Sequence, residues 1–296
     1  MDRPDLEALR GAIDMHAHTG PALFPRPLDD RDTAEMGVRY GMRGCVLKDH
    51  DNSTTGRAYY VRKMVEGFEP IGSVVLNRSV GGLAPHVVQA AIRTGAKVIF
   101  MPTTHAKWHI DYFGMSDYPQ FGRTFKSVPV EGITILGEDN RLKPEVLTIL
   151  DLIADADVCL GTTHLTTLER TVLVEEAFRR GVKKVSITHA NWALAKLTVE
   201  EQKAFIAMGA YVEYVTCALV SPIWYEQDVK ELAGWINEIG PEKLVLSSDL
   251  GSMASPFHAE GLRVAVAALL DNGVPYESLE TMLKVNPAKL LNMEVG

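Results

Sequence analysis

Residues 12–18 read AIDMHAH, a short apolar run that ends in two histidines one residue apart. Side chains alternate along an extended strand, so His16 and His18 share a face, and Asp14 precedes them on it. Seven further runs of this kind follow: RGCVLKDH from Arg43, PIGSVVLN from Pro70, AKVIFMPT from Ala96, DVCLGTTH from Asp157, KVSITHA from Lys184, AYVEYVT from Ala210 and KLVLSSDL from Lys243. Short apolar runs rich in β-branched residues are how strands buried on both faces of a parallel sheet read. Between them lie amphipathic stretches such as LKPEVLTILDLIAD and TLERTVLVEEAFRRG, several opening behind Thr or Pro and closing on Gly, as helix caps prefer. Most strand–helix repeats take about 25–35 residues, and eight of them close a barrel. The expected fold class is therefore α/β, a single (β/α)8 TIM barrel spanning residues 1–296. An open doubly wound sheet, the alternative, would carry a Gly-rich phosphate turn behind its first strand, and His18-Thr19-Gly20-Pro21 is no such turn.

One connection is longer than the rest. From Thr104 to about residue 142 it carries Trp108, Tyr112, Phe113, Tyr118, Phe121 and Phe125, followed by a stretch that reads as a hairpin, GITILGEDNRLK. A long aromatic-rich insertion after strand 4 reads either as a lid on the mouth of the barrel or as a contact in a homo-oligomer.

Composition removes several classes of function. Across 296 residues, 46% are hydrophobic and 23% charged, which excludes disorder, collagen and coiled coil. Thirty Lys and Arg against 38 Asp and Glu leave a net charge of −8, a balance that argues against nucleic-acid and anionic-membrane partners. Cys45, Cys159 and Cys217 are odd in number and widely spaced, so neither a disulfide framework nor a zinc knuckle can be written. The opening MDRPDLEALRGA is too charged for a secretory signal, and no run is long enough to span a membrane. The expected location is cytoplasmic.

Polar side chains gather at the carboxyl ends of the runs: His16, His18, Lys48, His50, Asn77, Thr103, His164, His189, Thr216 and Asp249. In a barrel those ends meet on one rim. Imidazole nitrogen and carboxylate oxygen are the donors that borderline divalent ions accept, so His16, His18, His164, His189 and Asp249 form a candidate ligand set for one or two ions, zinc first, with manganese and iron(II) as alternatives. Read blandly, the same histidines are buried and hydrogen-bonded. Lys48 suits either an anionic substrate or, if modified, a bridge between ions. His50 is a ligand or a proton relay, and His105 a further candidate. Arg26 and Arg78 can fork onto a carboxylate or phosphate, and with Asn77 and His105 they make up the candidate substrate-binding set. Asp14, Thr163, Thr188, Asn191 and Ser248 are expected to support the ligands. His86 and His109 read as surface residues and His258 as a rim or capping group, while Glu213 and Tyr214 fall either in the pocket or in its wall.

An HxH pair on the first strand, a His on the fifth, a His on the sixth and an Asp on the eighth form an order that resembles the amidohydrolase superfamily of metal-dependent barrels. The segments IDMHAHTGP, VLSSDLGS and NPAKLLNM are similar to it as well. The resemblance implies that His16, His18 and Asp249 hold one ion, that His164 and His189 hold a second or orient the substrate, and that Asp249 takes a proton from water and passes it to the leaving group. A divalent ion lowers the pKa of water from about 15.7 toward 7, and a nearby carboxylate completes the deprotonation. The expected reaction is hydrolysis of a carboxylic derivative (amide, lactone, ester or thioester) of a small organic substrate, with Lys48, His50 and Asp249 as catalytic candidates. A phosphoesterase, a non-hydrolytic decarboxylase and a non-catalytic scaffold barrel are the rival readings. The chain departs from the superfamily at the fourth strand, which ends MPTTHA and supplies neither the lysine nor the acid that bridges two ions in many members.

Overall fold

All eight apolar runs are strands. In the computed structural model, which describes residues 3–118 and 130–295, they are β1 (Ile13–His18), β2 (Gly44–Lys48), β3 (Glu69–Val75), β4 (Ala96–Phe100), β5 (Cys159–Gly161), β6 (Val185–Ile187), β7 (Tyr211–Val215) and β8 (Leu244–Ser247). They pair in parallel in chain order. The ring closes where Asp249 N donates to His16 O (2.8 Å) and His18 N to Leu250 O (3.0 Å). This is the (β/α)8 barrel expected from the sequence. Several strands are shorter than the runs that announce them, β5 and β6 having three residues each. Their last residues leave the ladder and carry the polar groups of the rim.

Helices α1 (Pro4–Leu9), α2 (Asp30–Arg39), α3 (Thr55–Met64), α4 (Pro85–Arg93), α5 (Lys107–Phe113), α6 (Pro144–Ala156), α7 (Thr167–Arg179), α8 (Val199–Met208), α9 (Cys217–Val220), α10 (Val229–Ile239), α11 (His258–Asp271), α12 (Tyr276–Glu280) and α13 (Asn286–Leu291) complete the described structure. Capping boxes start three of the crossover helices: Asp29 with Asp32 at α2, Thr166 with Glu169 at α7, and Thr198 with Glu201 at α8. Each satisfies backbone donors that a first turn leaves unpaired. No helix among the described residues is long and apolar enough to cross a membrane.

Apolar side chains form two shells. Inside the barrel, Ile13, Met15, Val46, Ile71, Val98, Phe100, Cys159, Tyr211 and Val245 make one cluster, which Ala288, Leu290 and Leu291 of α13 seal from below. Leu47, Ile99, Leu160, Ile187, Val212 and Leu246 belong to the larger cluster between sheet and helices, as alternation along each strand dictates. A third, smaller cluster of Phe24, Tyr118, Trp192, Val215, Trp224 and Leu250 covers the mouth.

β1 departs from simple alternation. Its register against β2 shifts between Asp14 and Ala17, so Met15 joins the interior apolar cluster while His16 and His18 both reach the mouth. A bulge of this kind re-aims side chains beside a site.

In the insertion, the expected hairpin is a tight turn with an antiparallel bridge between Leu136 and Leu142 and a bond from Gly137 N to Arg141 O of 2.8 Å. Phe121 and Phe125 lie outside the described residues.

Candidate active site

Three strand ends carry the mouth in a backbone conformation that side chains resist. Thr163 (φ 46°), His189 (φ 54°) and Asp249 (φ 49°) are all left-handed, which is unusual for any non-glycine residue and more so for β-branched threonine. Hydrogen bonds hold the strained turns. Thr163 Oγ1 donates to the carbonyls of Met101 and Pro102 (2.7 and 2.8 Å), and Thr163 N donates to Thr188 Oγ1. The amide of Asn191 exchanges bonds with both backbone groups of Val215. Ser248 Oγ donates to His16 O, and Asp14 Oδ1 accepts from the backbone N–H groups of His16 and Ser248, lashing β1 to β8. Gly251 is required by the same approach: it has φ 127°, and a Cβ there would stand 1.9 Å from His18 O.

Asp249 stands at the centre. Its Oδ1 lies 3.0 Å from His16 Nε2 and 3.1 Å from His18 Nε2, its Oδ2 is 3.9 Å from His189 Nε2, and Cys217 Sγ–H donates to the same Oδ2 at 3.6 Å. Burial by itself pushes this carboxyl upward. The surrounding imidazoles, His16 first, outweigh burial and hold it well below the usual carboxylate range. Burial holds His18, His164 and His189 well below the usual imidazole range, so these rings are neutral and their lone pairs available. Donor atoms of His16, His189 and Asp249 all lie within 4.8 Å of one another.

These residues fit a divalent ion. Ligand atoms about 2.1 Å from a shared ion stand about 3.0–3.4 Å apart, and the two imidazole nitrogens keep that spacing from a single carboxylate oxygen. His18 and His189 each have a buried Nδ1 without a partner among the described residues, whereas His16 is oriented from behind: Glu213, itself buried, faces its Nδ1 at 3.5 Å. That assigns Glu213 to the site. Tyr214, next along β7, points into the wall and donates to Gln202 Oε1.

His164 is set by a residue that the sequence reading placed on the surface. His109 is fully buried and stacked on His164, with ring planes 7° apart. Its Nε2 can only donate to the carbonyl of Asp117 (3.1 Å), so its Nδ1, 2.9 Å from His164 Nδ1, accepts from that ring. His164 therefore keeps its lone pair on Nε2. The expectation of a surface residue fails because the insertion folds back over the rim, which local sequence does not reveal. Exposed His86 conforms to it. His258 is buried and faces His18 O at 3.0 Å through Nε2.

Lys48 is 1% exposed. Its Nζ lies 2.8 Å from His16 Nε2 and 4.7 Å from the centre of the Phe100 ring. Burial depresses it to about 8, against the opposing pull of Asp249 and Glu213. His50 stacks on His18 at 4.7 Å. Its Nδ1 meets Thr103 Oγ1 at 2.8 Å, and because Asn77 donates to that oxygen, the hydroxyl proton is free for His50, leaving the imidazole proton on Nε2.

A cleft with about 460 Å³ of empty space, counting the part open to solvent, is lined by His18, Lys48, His50, His164, His189 and Asp249 below and by Arg26, Tyr118, Trp192, Cys217, Trp224 and Ser252 above. Three sequence candidates for substrate binding are not among these residues. Asn77 is fully buried, and both ends of its amide are spent on His50, Thr103, Thr104 and His105. Arg78 is an exposed partner of Glu131, and His105 Nδ1 accepts from Arg78 N. Each sits just past a strand end, where the chain has already turned outward. Trp192, Trp224 and Cys217 were not singled out for the site, since nothing local separates them from core residues. Arg57 was missed as well: it pairs with Asp30 and Asp49 and holds the carbonyls of Thr19, Gly20 and Pro21, fixing the loop that follows His18.

Comparison with solved structures supports the same architecture. The fold superposes on an amidohydrolase from Pseudomonas aeruginosa (TM-score 0.63, 10% identity, covering 99% of this chain and 98% of that one). It superposes as well on an organophosphorus hydrolase from Deinococcus radiodurans (TM-score 0.63, 14% identity, 96% and 93%). A TatD homologue from Escherichia coli K12 gives a TM-score of 0.58 at 12% identity over 97% and 100%. At these identities the likeness is one of fold, and it bears out the (β/α)8 barrel. No curated protein matches the chain by sequence. The profile of a family of unknown function, DUF6282, matches residues 11–213, well over half of the chain, and the chain belongs to that family.

Proposed function

We propose that this chain is a metal-dependent hydrolase that cleaves an amide, lactone, ester or thioester bond of a small organic substrate. The observation that carries the reading is the convergence of His16 Nε2 and His18 Nε2 on one oxygen of Asp249, with His189 beside them. His16, His18, His189 and Asp249 would hold one divalent ion, with His164 offering Nε2 toward the substrate or a second ion. Zinc is the first choice, manganese and iron(II) the alternatives. When bound, the ion supplies Lewis acidity, polarising a carbonyl and bringing the pKa of water toward about 7.

The remaining work falls to the chain itself. Asp249 has a second oxygen, Oδ2, turned toward Cys217 and His189, where it takes a proton from the attacking water and returns it to the leaving atom. Glu213 keeps the Nδ1 proton of His16 in place and so keeps its Nε2 lone pair directed at the mouth. His50, protonated on Nε2, offers a donor to a developing oxyanion. Tyr118, Trp192 and Trp224 exclude bulk water.

The reading is tested by elemental analysis of the wild type and a His16→Ala, His18→Ala double variant purified without chelator, then by screening the metal-loaded wild type on lactones, aryl esters and amides. The expected result is about one ion per wild-type chain, under a tenth of that in the variant, and turnover of a carboxylic derivative. Equal metal in both proteins, or turnover confined to phosphomonoesters, would overturn it.

A further inference from the structure

Two side chains of the upper wall, Arg26 and Trp192, carry buried donors without a partner among the described residues. Arg26 lines the cleft, yet its guanidinium makes one bond, from Nη1 to Gly251 O at 3.2 Å. Its Nε is enclosed and has no partner among the described residues. The indole Nε1 of Trp192, a residue 5% exposed on the same cleft, is likewise buried without a partner. Lys48 contributes a second cation whose polar contact is His16. Asp249 is committed to His16 and His18, Glu213 to the back of His16 and Asp49 to Arg57, and no carboxylate pairs with Arg26 or Lys48 within 4 Å among the described residues. The segment 119–129 contains no Asp or Glu. Uncompensated cations and orphaned donors in an enclosed cleft are costly unless a ligand supplies charge and acceptors.

We propose that Arg26 is a receptor for a carboxylate and that the substrate is a small, flat, carboxylate-bearing molecule whose body lies against the cluster of Tyr118, Trp192 and Trp224. A carboxylate fits better than a phosphate. A guanidinium edge presents two parallel N–H groups that match two coplanar oxygens. The aromatic walls favour a planar, π-rich body. In this proposal the acid group is distinct from the bond broken. The inference rests on the hydrolase reading for the word substrate, but the subsite itself needs no ion.

Isothermal titration of the metal-loaded wild type with benzoate, benzamide and phenyl phosphate tests it, alongside Arg26→Gln and Arg26→Lys with metal content measured for each. Benzoate should bind at least tenfold more tightly than benzamide. Arg26→Gln should lose that preference with metal content unchanged, and Arg26→Lys, which keeps charge without the fork, should fall between. Equal binding of benzoate and benzamide, undiminished benzoate binding in Arg26→Gln, tighter binding of phenyl phosphate than of benzoate, or loss of metal from Arg26→Gln would each overturn the proposal. A wild type that takes up no metal when zinc is supplied, yet still prefers benzoate, would sink the hydrolase reading and leave the subsite standing.

Discussion

At their amino-terminal ends the strands bring together Ile13, Val46, Ile71, Val98 and Val245, closed from below by Leu290 and Leu291. A few residues further along, the same strands or the turns that follow them carry His16, Lys48, His164, His189 and Asp249, all lining or adjoining the cleft. Both ends are buried, so burial alone does not separate structural from functional residues. What differs is how well burial is repaid. Apolar side chains at the floor gain by leaving water, whereas the mouth encloses Arg26 Nε, His18 Nδ1, His189 Nδ1 and Trp192 Nε1 without partners among the described residues and holds Thr163 and His189 at positive φ. The floor stabilises the barrel. The mouth spends part of that stability on holding charged and polar groups ready for a ligand.

This contrast breaks most sharply at Asp249. Replacing it with Asn removes the charge that His16 and His18 converge on, and we expect zinc affinity to fall more than about 100-fold, beyond what losing an outer partner costs. The metal-free variant should unfold no more easily than metal-free wild type. Zinc titrations followed by thermal melts measure both, and an unchanged zinc isotherm would show that the mouth is not a metal centre.

The complementary change belongs at the floor. Leu290→Ala, with Leu290 1% exposed, should cost about 2–5 kcal/mol in denaturant unfolding while leaving the zinc affinity of the folded protein intact. A loss of zinc affinity comparable to that of the Asp249 variant would mean that the two ends cannot be treated separately.

A smaller effect follows from the histidines that support the mouth. Burial depresses both His109 and His258 to about 4, while in the unfolded chain they take up protons near 6.5. Between those values the unfolded state binds more protons, so each group removes stability as the pH falls from about 6.5 to 4, by up to about 3 kcal/mol. Asp14, pushed up to about 6 by burial, acts in the opposite direction, which makes a comparison with a variant more telling than the wild-type curve. His258→Gln, whose amide keeps a donor for His18 O, should lose less stability than metal-free wild type between pH 7 and 4.5. Parallel losses in the two proteins would show that His258 is not held neutral.

The repeat of apolar runs made the barrel legible, and the polar residue ending each run made most of the mouth legible. His16, His18, His164, His189 and Asp249 all end or just follow a strand, and alternation with barrel closure is enough to bring them to one rim. Arg26, in the loop after β1, was legible as an anion-binding candidate from its position and type. Other residues were not. His109 sits on α5, and only the fold of the insertion carries it under His164. Trp192 and Trp224 come from loops after β6 and β7, where an aromatic residue looks the same whether it lines a cleft or fills a core. Asn77, Arg78 and His105 erred the other way: each follows a strand, but beyond the last paired residue the chain can turn in or out.

What the sequence determined by itself was the order and period of eight buried strands and the chemistry at their carboxyl ends, because both are properties of local pattern. Only the tertiary structure decided which of those end groups share a cation-sized space, which tautomer His164 keeps, and that Arg26 lines the cleft with no acid paired to it within 4 Å among the described residues. Those are matters of distances between side chains far apart in the chain, set by the register shift in β1 and by the strained turns after β5, β6 and β8, and local pattern holds no record of either.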